Sequence, residues 1–198
     1  LIYDSFSVNE VALLRDVLVD ESALAGVRTM EDLVARVRQR LKDRLVELAR
    51  RKGAQRRSRA QQVPTPLTSA LMCGCIERGT DMHLELDYTP VYLQCQGFAN
   101  LVNGLSAVER VVFERRAAGL RELGGALSRD FAGAEPLRQA LLAAPKWGND
   151  NAAADRWAAV WLRTRTELCE QVTQRWGGPL IVPELVVRSL HHVHGRKL

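Results

Sequence analysis

Between Thr29 and Lys52, Leu33, Val37, Leu41, Leu45 and Leu48 recur every three or four residues, with Arg36, Arg40, Lys42, Asp43 and Glu47 between them. Only a helix of 3.6 residues per turn gathers those apolar side chains into one stripe. A stripe of that length must be covered, so the chain has to supply a second helical or sheet layer. Thr29 followed by Asp32 resembles a capping box and sets the start of the helix. Two further stripes answer the demand. Phe98, Leu101, Val102, Leu105, Val108 and Val112 trace one face, and Trp157, Val160, Trp161, Thr164, Leu168, Val172 and Trp176 trace another. The periodicity predicts a mainly helical chain.

Proline and glycine mark the joints. Ala144-Pro145-Lys146-Trp147-Gly148-Asn149-Asp150-Asn151 stops one helix and starts the next, with three good N-caps in a row. Glu135-Pro136 opens the helix before it, with Leu137, Ala140 and Leu141 inward. Gly119, Gly124 and Gly125 are expected to break the chain around a shorter helix, and Gly177-Gly178-Pro179 to end the long one. Pro64-Thr65-Pro66 forces an extended entry into a buried helix expected from Leu67 to about Arg78, closed by Gly79. Met82 to Tyr88 alternates as a strand with one wet face, and Pro90 to Gln96 continues as an irregular apolar segment. Before Gly26, Val11–Leu14 and Val17–Val19 suggest short buried segments. Leu180 to His194 is apolar with a histidine-rich end.

The residues hold little self-contained chemistry. At 46% hydrophobic, the 198-residue chain can bury one substantial core, and its net charge of +5 allows an anionic partner without requiring one. The absence of a spanning apolar run and of a leader pattern leads to the expectation of a soluble, cytoplasmic chain; the opening on Leu1 suggests part of a longer polypeptide. Cys73, Cys75, Cys95 and Cys169 fit a reducing compartment. Cys73-Gly74-Cys75 with Cys95 and His83 lacks zinc-site spacing, so these thiols are expected in the core. His191, His192 and His194 cannot all face one metal from a helix. Asp150, Asp155, Glu167 and Glu170 show no paired-acid logic, and Trp147, Trp157, Trp161 and Trp176 read as core or groove. Arg50 to Arg59 reads as a solvated basic connector around Gly53. It carries no aromatic side chain for base stacking, which argues against nucleic acid. No catalytic, cofactor-binding or metal-ligating residue is therefore assigned, and substrate-binding residues are left open.

Longer strings carry a resemblance. Pro64-Thr65-Pro66-Leu67-Thr68-Ser69-Ala70-Leu71, then Gly74-Cys75-Ile76-Glu77-Arg78-Gly79-Thr80-Asp81, resemble a stretch of the glycyl radical enzymes, which include pyruvate formate-lyase, glycerol and diol dehydratases and arylacetate decarboxylases. The order continues through Tyr88, Gln94 and Gly97-Phe98-Ala99-Asn100. Leu105-Ser106-Ala107-Val108 to Val112-Phe113-Glu114 follows, and then Leu137-Arg138 to Asp150. Thr89, Asn103, Trp147 and Asn151-Ala152-Ala153 depart from the family pattern.

The resemblance implies the α/β class: a mainly helical segment of a ten-stranded α/β barrel, with residues 1–198 part of a pyruvate formate-lyase-type domain. Residues 1–63 would be a helical lead-in and basic linker, and 64–198 the recognisable segment. The implied function is radical C–C, C–O or C–N cleavage, of lyase or formate acyltransferase type, on a small organic substrate. Its cysteine thiyl and glycyl radical would lie outside this chain, because Gly74-Cys75-Ile76-Glu77 matches a non-catalytic part of the family pattern. Tyr88 and Gln94 would approach the barrel interior, while Lys146 and Asp150 would serve as scaffold. No cofactor is expected in the segment itself. The implied partners are an iron–sulfur activating enzyme using S-adenosylmethionine and a second copy in a homodimer, in an anaerobic cytoplasm. The competing readings are a non-enzymatic helical binding module using Arg56, Arg57 and Arg59, and an inactive remnant of the family.

Overall fold

A computed structural model of the chain describes residues 4–84, 91–176 and 181–185. Three parallel strands, β1 (Asp4–Asn9), β2 (Val91–Gln96) and β3 (Ile181–Leu185), form a sheet in the order β1-β2-β3. Parallel neighbours need long crossovers, and helices supply them. The first crossover holds α1 (Glu10–Val19), α2 (Met30–Gln62) and the short α3 (Pro66–Ala70) and α4 (Cys75–Arg78). The second holds α5 (Phe98–Val108), a π-helical turn (Glu109–Glu114), α6 (Leu120–Ser128), α7 (Glu135–Leu142) and α8 (Ala152–Trp176).

Most stripe positions are buried as their spacing predicts; the side chain of Trp176 and the expected stop at Gly177-Gly178-Pro179 lie outside the described residues. Leu33, Val37, Leu41, Leu45 and Leu48 are buried on α2, facing α1 and α8. The predicted capping box is present: Thr29 Oγ1 accepts from the Asp32 N–H at 3.1 Å, and Asp32 Oδ2 accepts from the Thr29 N–H at 3.0 Å. Leu101, Val102, Leu105 and Val108 of α5 meet Trp157, Trp161, Leu168 and Val172 of α8 in the same core. Val160, expected in the α8 stripe, lies on its wet side, because the buried set shifts to Ala154, Ala158 and Arg165. At the α1–α6 crossing a Cβ on Gly124 would stand 2.0 Å from the Leu18 carbonyl oxygen, so the two backbones touch there.

Several expectations are corrected. Arg50–Arg59 is not a connector: α2 runs through Gly53 to Gln62, 33 residues and about 50 Å long, since its arginines and alanines are good helix formers. Leu67–Arg78 is not one buried helix. Gly74 at φ 85° separates α3 from α4, and Leu67, Leu71 and Ile76 are 77%, 79% and 69% exposed. Gly124 and Gly125 break nothing: both lie inside α6, and at Gly124 close packing needs a missing side chain. Pro90–Gln96 is not irregular, because Val91–Gln96 is the central strand. The expected strand at Met82 begins instead as a turn through Leu84, and its remainder, with Tyr88, lies outside the described residues. The start, read as short buried segments, holds strand β1 and one continuous helix, α1.

Candidate functional site

Side chains alternate across a strand. Phe6 and Val8 of β1, and Val91, Leu93 and Cys95 of β2, enter the core on the helical side. The intervening residues, Ser5, Ser7 and Asn9 of β1 and Tyr92, Gln94 and Gln96 of β2, therefore belong to the opposite face. That face is polar across the register Ser7–Gln94, with the Cα of Glu184 next in line. Ser7 Oγ donates to Gln94 Oε1 at 3.1 Å, and Gln94 is only 5% exposed.

The carboxyl ends of the parallel strands converge on two helix starts. Asn9 closes β1 and caps α1, its Oδ1 accepting the Ala12 N–H at 3.2 Å. Gly97 at φ 79° turns β2 directly into α5, and a Cβ there would press to 2.7 Å from Val11 Cγ2 and 3.5 Å from Asn9 Oδ1. Only glycine lets the two strand-to-helix turns lie this close. Strand ends of this kind are where parallel α/β sheets place their ligands.

Behind the sheet, the same turn buries a charge. Glu10 is 0% exposed; its Oε1 accepts from Trp161 Nε1 at 2.9 Å and from Arg165 at 3.1 Å, and Arg165 is 3% exposed. Burial pushes the Glu10 carboxyl upward, opposed by Arg165, by the Trp161 and Arg165 hydrogen bonds and by the Cys95 thiol. Cys95 and Cys169 flank this pair. Burial raises both thiols, Cys169 to about 12, so neither forms a thiolate near neutral pH. The node binds the first turn of α1 to the middle of α8 and thereby holds the ends of β1 and β2. Residues 155 apart in sequence meet here, and no local pattern announced them.

The other candidates separate. Cys75 is buried at the start of α4, whereas Cys73 is exposed, against the expectation of a core thiol. His83 lies in a turn, its backbone N–H donating to Asp81 Oδ1 at 2.9 Å. Asp81 Oδ2 also accepts from Thr65 N at 2.7 Å and Ser69 Oγ at 3.2 Å, fastening α3 to this turn. Burial works to raise the Asp81 carboxyl, but the hydrogen bonds from Thr65, His83 and Ser69 hold it below the usual range. No cluster of three metal-ligating side chains occurs among the described residues; His191, His192 and His194 lie outside them. The turn at 144–151 docks on α5: Ser106 Oγ donates to the Pro145 carbonyl at 3.0 Å, Trp147 N–H donates to Asn103 Oδ1 at 2.8 Å, and Trp147 meets Phe98 edge-on at 5.1 Å. Lys146 Nζ donates to the Ala144 and Leu141 carbonyls at the end of α7, and Asn151, rather than Asp150, caps α8. No helix among the described residues is long and apolar enough to cross a membrane.

Comparison with known proteins agrees with this arrangement. Escherichia coli (strain K12) probable dehydratase YbiW is 41% identical over 120 residues, 58% of this chain and 15% of that protein. Isethionate sulfite-lyase from Desulfovibrio desulfuricans is 32% identical over 100 residues, 49% of this chain and 12% of that protein. The chain thus spans 12–15% of the length of these curated relatives. The glycerol-bound B12-independent glycerol dehydratase from Clostridium butyricum shares the fold with a TM-score of 0.78 at 18% identity, over 91% of this chain and 25% of that one. A glycyl radical enzyme from Archaeoglobus fulgidus gives 0.73 at 23% identity, again over 91% of this chain and 25% of the other. The helices and the small parallel sheet are thus a segment of an α/β barrel. With the pyruvate formate lyase-like model matching residues 14–189, the chain belongs to that family, the glycyl radical enzymes.

Proposed function

We propose that this chain forms one wall of the substrate cavity in a glycyl radical enzyme that cleaves a C–C, C–O or C–N bond of a small organic molecule. The observation that carries the reading is the polar register Ser7–Gln94 on the sheet face opposite the helical core, at the carboxyl ends of parallel strands. In a barrel that face points inward. Its hydroxyl and amide groups can hold and orient a substrate's polar substituents. Ser5, Ser7, Gln94 and Gln96 carry no thiol, so this wall binds and positions but does not exchange hydrogen atoms. The glycyl radical and the thiyl cysteine of the proposed enzyme belong to residues outside this chain, and they supply the hydrogen abstraction. The names of the relatives, a probable dehydratase and an isethionate sulfite-lyase, favour lyase chemistry over acyl transfer. We extend the same proposal to one partial pyruvate formate-lyase-type domain across residues 1–198, a homodimer, a cytoplasmic setting and an activating enzyme that uses S-adenosylmethionine.

The test uses the complete enzyme, activated without oxygen, with the radical counted by electron paramagnetic resonance. Gln94→Ala is expected to leave the spin count unchanged and raise KM about tenfold, the loss of roughly one hydrogen bond to substrate. An unchanged KM and kcat, or no organic radical in the activated protein, counts against the proposal.

A further inference from the structure

A second concavity lies away from the sheet, between the α1–α2 connection and the segment leading into α6. This open groove has a volume of about 880 Å³, within the range of small-molecule pockets. Three arginines line it, Arg28, Arg116 and Arg121, and no carboxylate does. Among the described residues none of the three side chains forms an ion pair or a hydrogen bond. Two acids close to these arginines in sequence, Asp32 and Glu122, are already engaged as caps. Asp32 Oδ2 accepts the N–H groups of Arg28 and Thr29 at 2.9 and 3.0 Å, and Glu122 Oε2 accepts that of Gly119 at 3.3 Å. Their charge tempers the arginine field without cancelling it.

The floor is apolar. Leu24 and Val112 are buried and Phe113 is half-buried against the core. The walls are held by their own bonds: Val27 N–H to the Leu24 carbonyl at 3.1 Å, Arg36 to the Ala25 carbonyl at 3.1 Å, and Ala117 N–H to the Val111 carbonyl at 2.9 Å. Three guanidinium groups around a fixed apolar floor match a ligand with two features. It needs an oxyanion, which guanidinium recognises through paired hydrogen bonds, and an apolar body to cover the floor.

We propose that this groove binds a small organic dianion, a phosphate ester or its like with an aliphatic or aromatic body, independently of the chemistry at the sheet. The test is calorimetric titration of the full chain at low salt with phenyl phosphate, inorganic phosphate and phenol. Phenyl phosphate is expected to saturate one site, to bind more tightly than either half of itself, and to lose about tenfold or more in affinity in the Arg28→Gln/Arg116→Gln/Arg121→Gln variant. All three arginines are exposed, so the variant should keep the parent's melting midpoint. Arg116→Lys checks the same point separately, keeping the charge while losing the paired geometry, and is expected to bind at intermediate strength. The proposal is overturned if neither phosphate saturates, if phenyl phosphate binds no better than inorganic phosphate, or if the triple variant binds equally well. Saturation by hexaglutamate where phenyl phosphate fails would overturn it too, in favour of an acidic protein partner.

Discussion

Removing the Glu10 carboxylate should be among the most damaging single changes in this chain, and the structure says by how much. In Glu10→Ala, Arg165, only 3% exposed, keeps its charge and loses its carboxylate, while Trp161 Nε1 loses its acceptor. Breaking one side of a buried pair costs about 3–5 kcal/mol, against about 5–15 kcal/mol for a whole domain. Replacing both partners by apolar side chains removes the stranded charge as well, so Glu10→Leu/Arg165→Met should lie within about 1–2 kcal/mol of the parent. Urea unfolding of the full chain, followed by tryptophan fluorescence, reads both variants, because Trp161 sits at the node. If the double variant is as unstable as Glu10→Ala, the loss comes from packing volume and the electrostatic account is wrong.

The same node predicts a pH dependence. A carboxyl raised above its unfolded value of 4.5 contributes stability that is fully present below that value and is lost as pH rises through the folded value. The parent should therefore gain on Glu10→Gln as pH falls from 7 toward 4.5, and a gap independent of pH would contradict the assignment. Gly124→Ala should destabilise by about 1–3 kcal/mol, because its Cβ meets the Leu18 carbonyl at 2.0 Å. Gly125→Ala, whose Cβ meets only Arg129 Nη1 at 3.4 Å, should gain up to about 1 kcal/mol; paired thermal melts read both signs. Iodoacetamide at pH 8 should label Cys73 rapidly in the native chain and spare Cys75, Cys95 and Cys169 until urea is added, as peptide mass mapping would show. Asp81→Ala should free α3 from its turn by removing the acceptor of Thr65 and Ser69, seen as faster amide exchange at Thr65 and His83 with little change at Leu41.

What could be read in advance divides by the range of the interaction. Leu33 to Leu48 and Phe98 to Val108 announced their helices because a buried stripe repeats within a few residues. Val91–Gln96 stayed hidden because the strand is short and its alternation is blurred: Gln94, on the polar face, is nearly as buried as Val91, Leu93 and Cys95. Asp4–Asn9 hid for a different reason. Ser5, Ser7 and Asn9 face away from the core, and the partner strand lies far along the chain. Glycine misled at Gly124, where the absent side chain serves a helix crossing and not a turn. Gln94 was legible only through family strings, and those strings said nothing of Glu10 and Arg165, whose pairing exists only in three dimensions. Two departures from the family pattern, Asn103 and Trp147, turn out to touch one another. The Asn103 amide oxygen supplies the acceptor that this backbone N–H needs, so the pair does not disturb the turn.

The strand order also governs how the molecule assembles in time. Asp4 pairs with Val91, and Val91 with Ile181, so each ladder joins residues nearly ninety positions apart. Closing a loop of that length costs about 4 kcal/mol of chain entropy before any contact is made. The helices between the strands close far shorter loops and can form first. The sheet must then be a late step, with β2 waiting for both neighbours, and the wall that carries Ser7 and Gln94 comes into being only as folding ends.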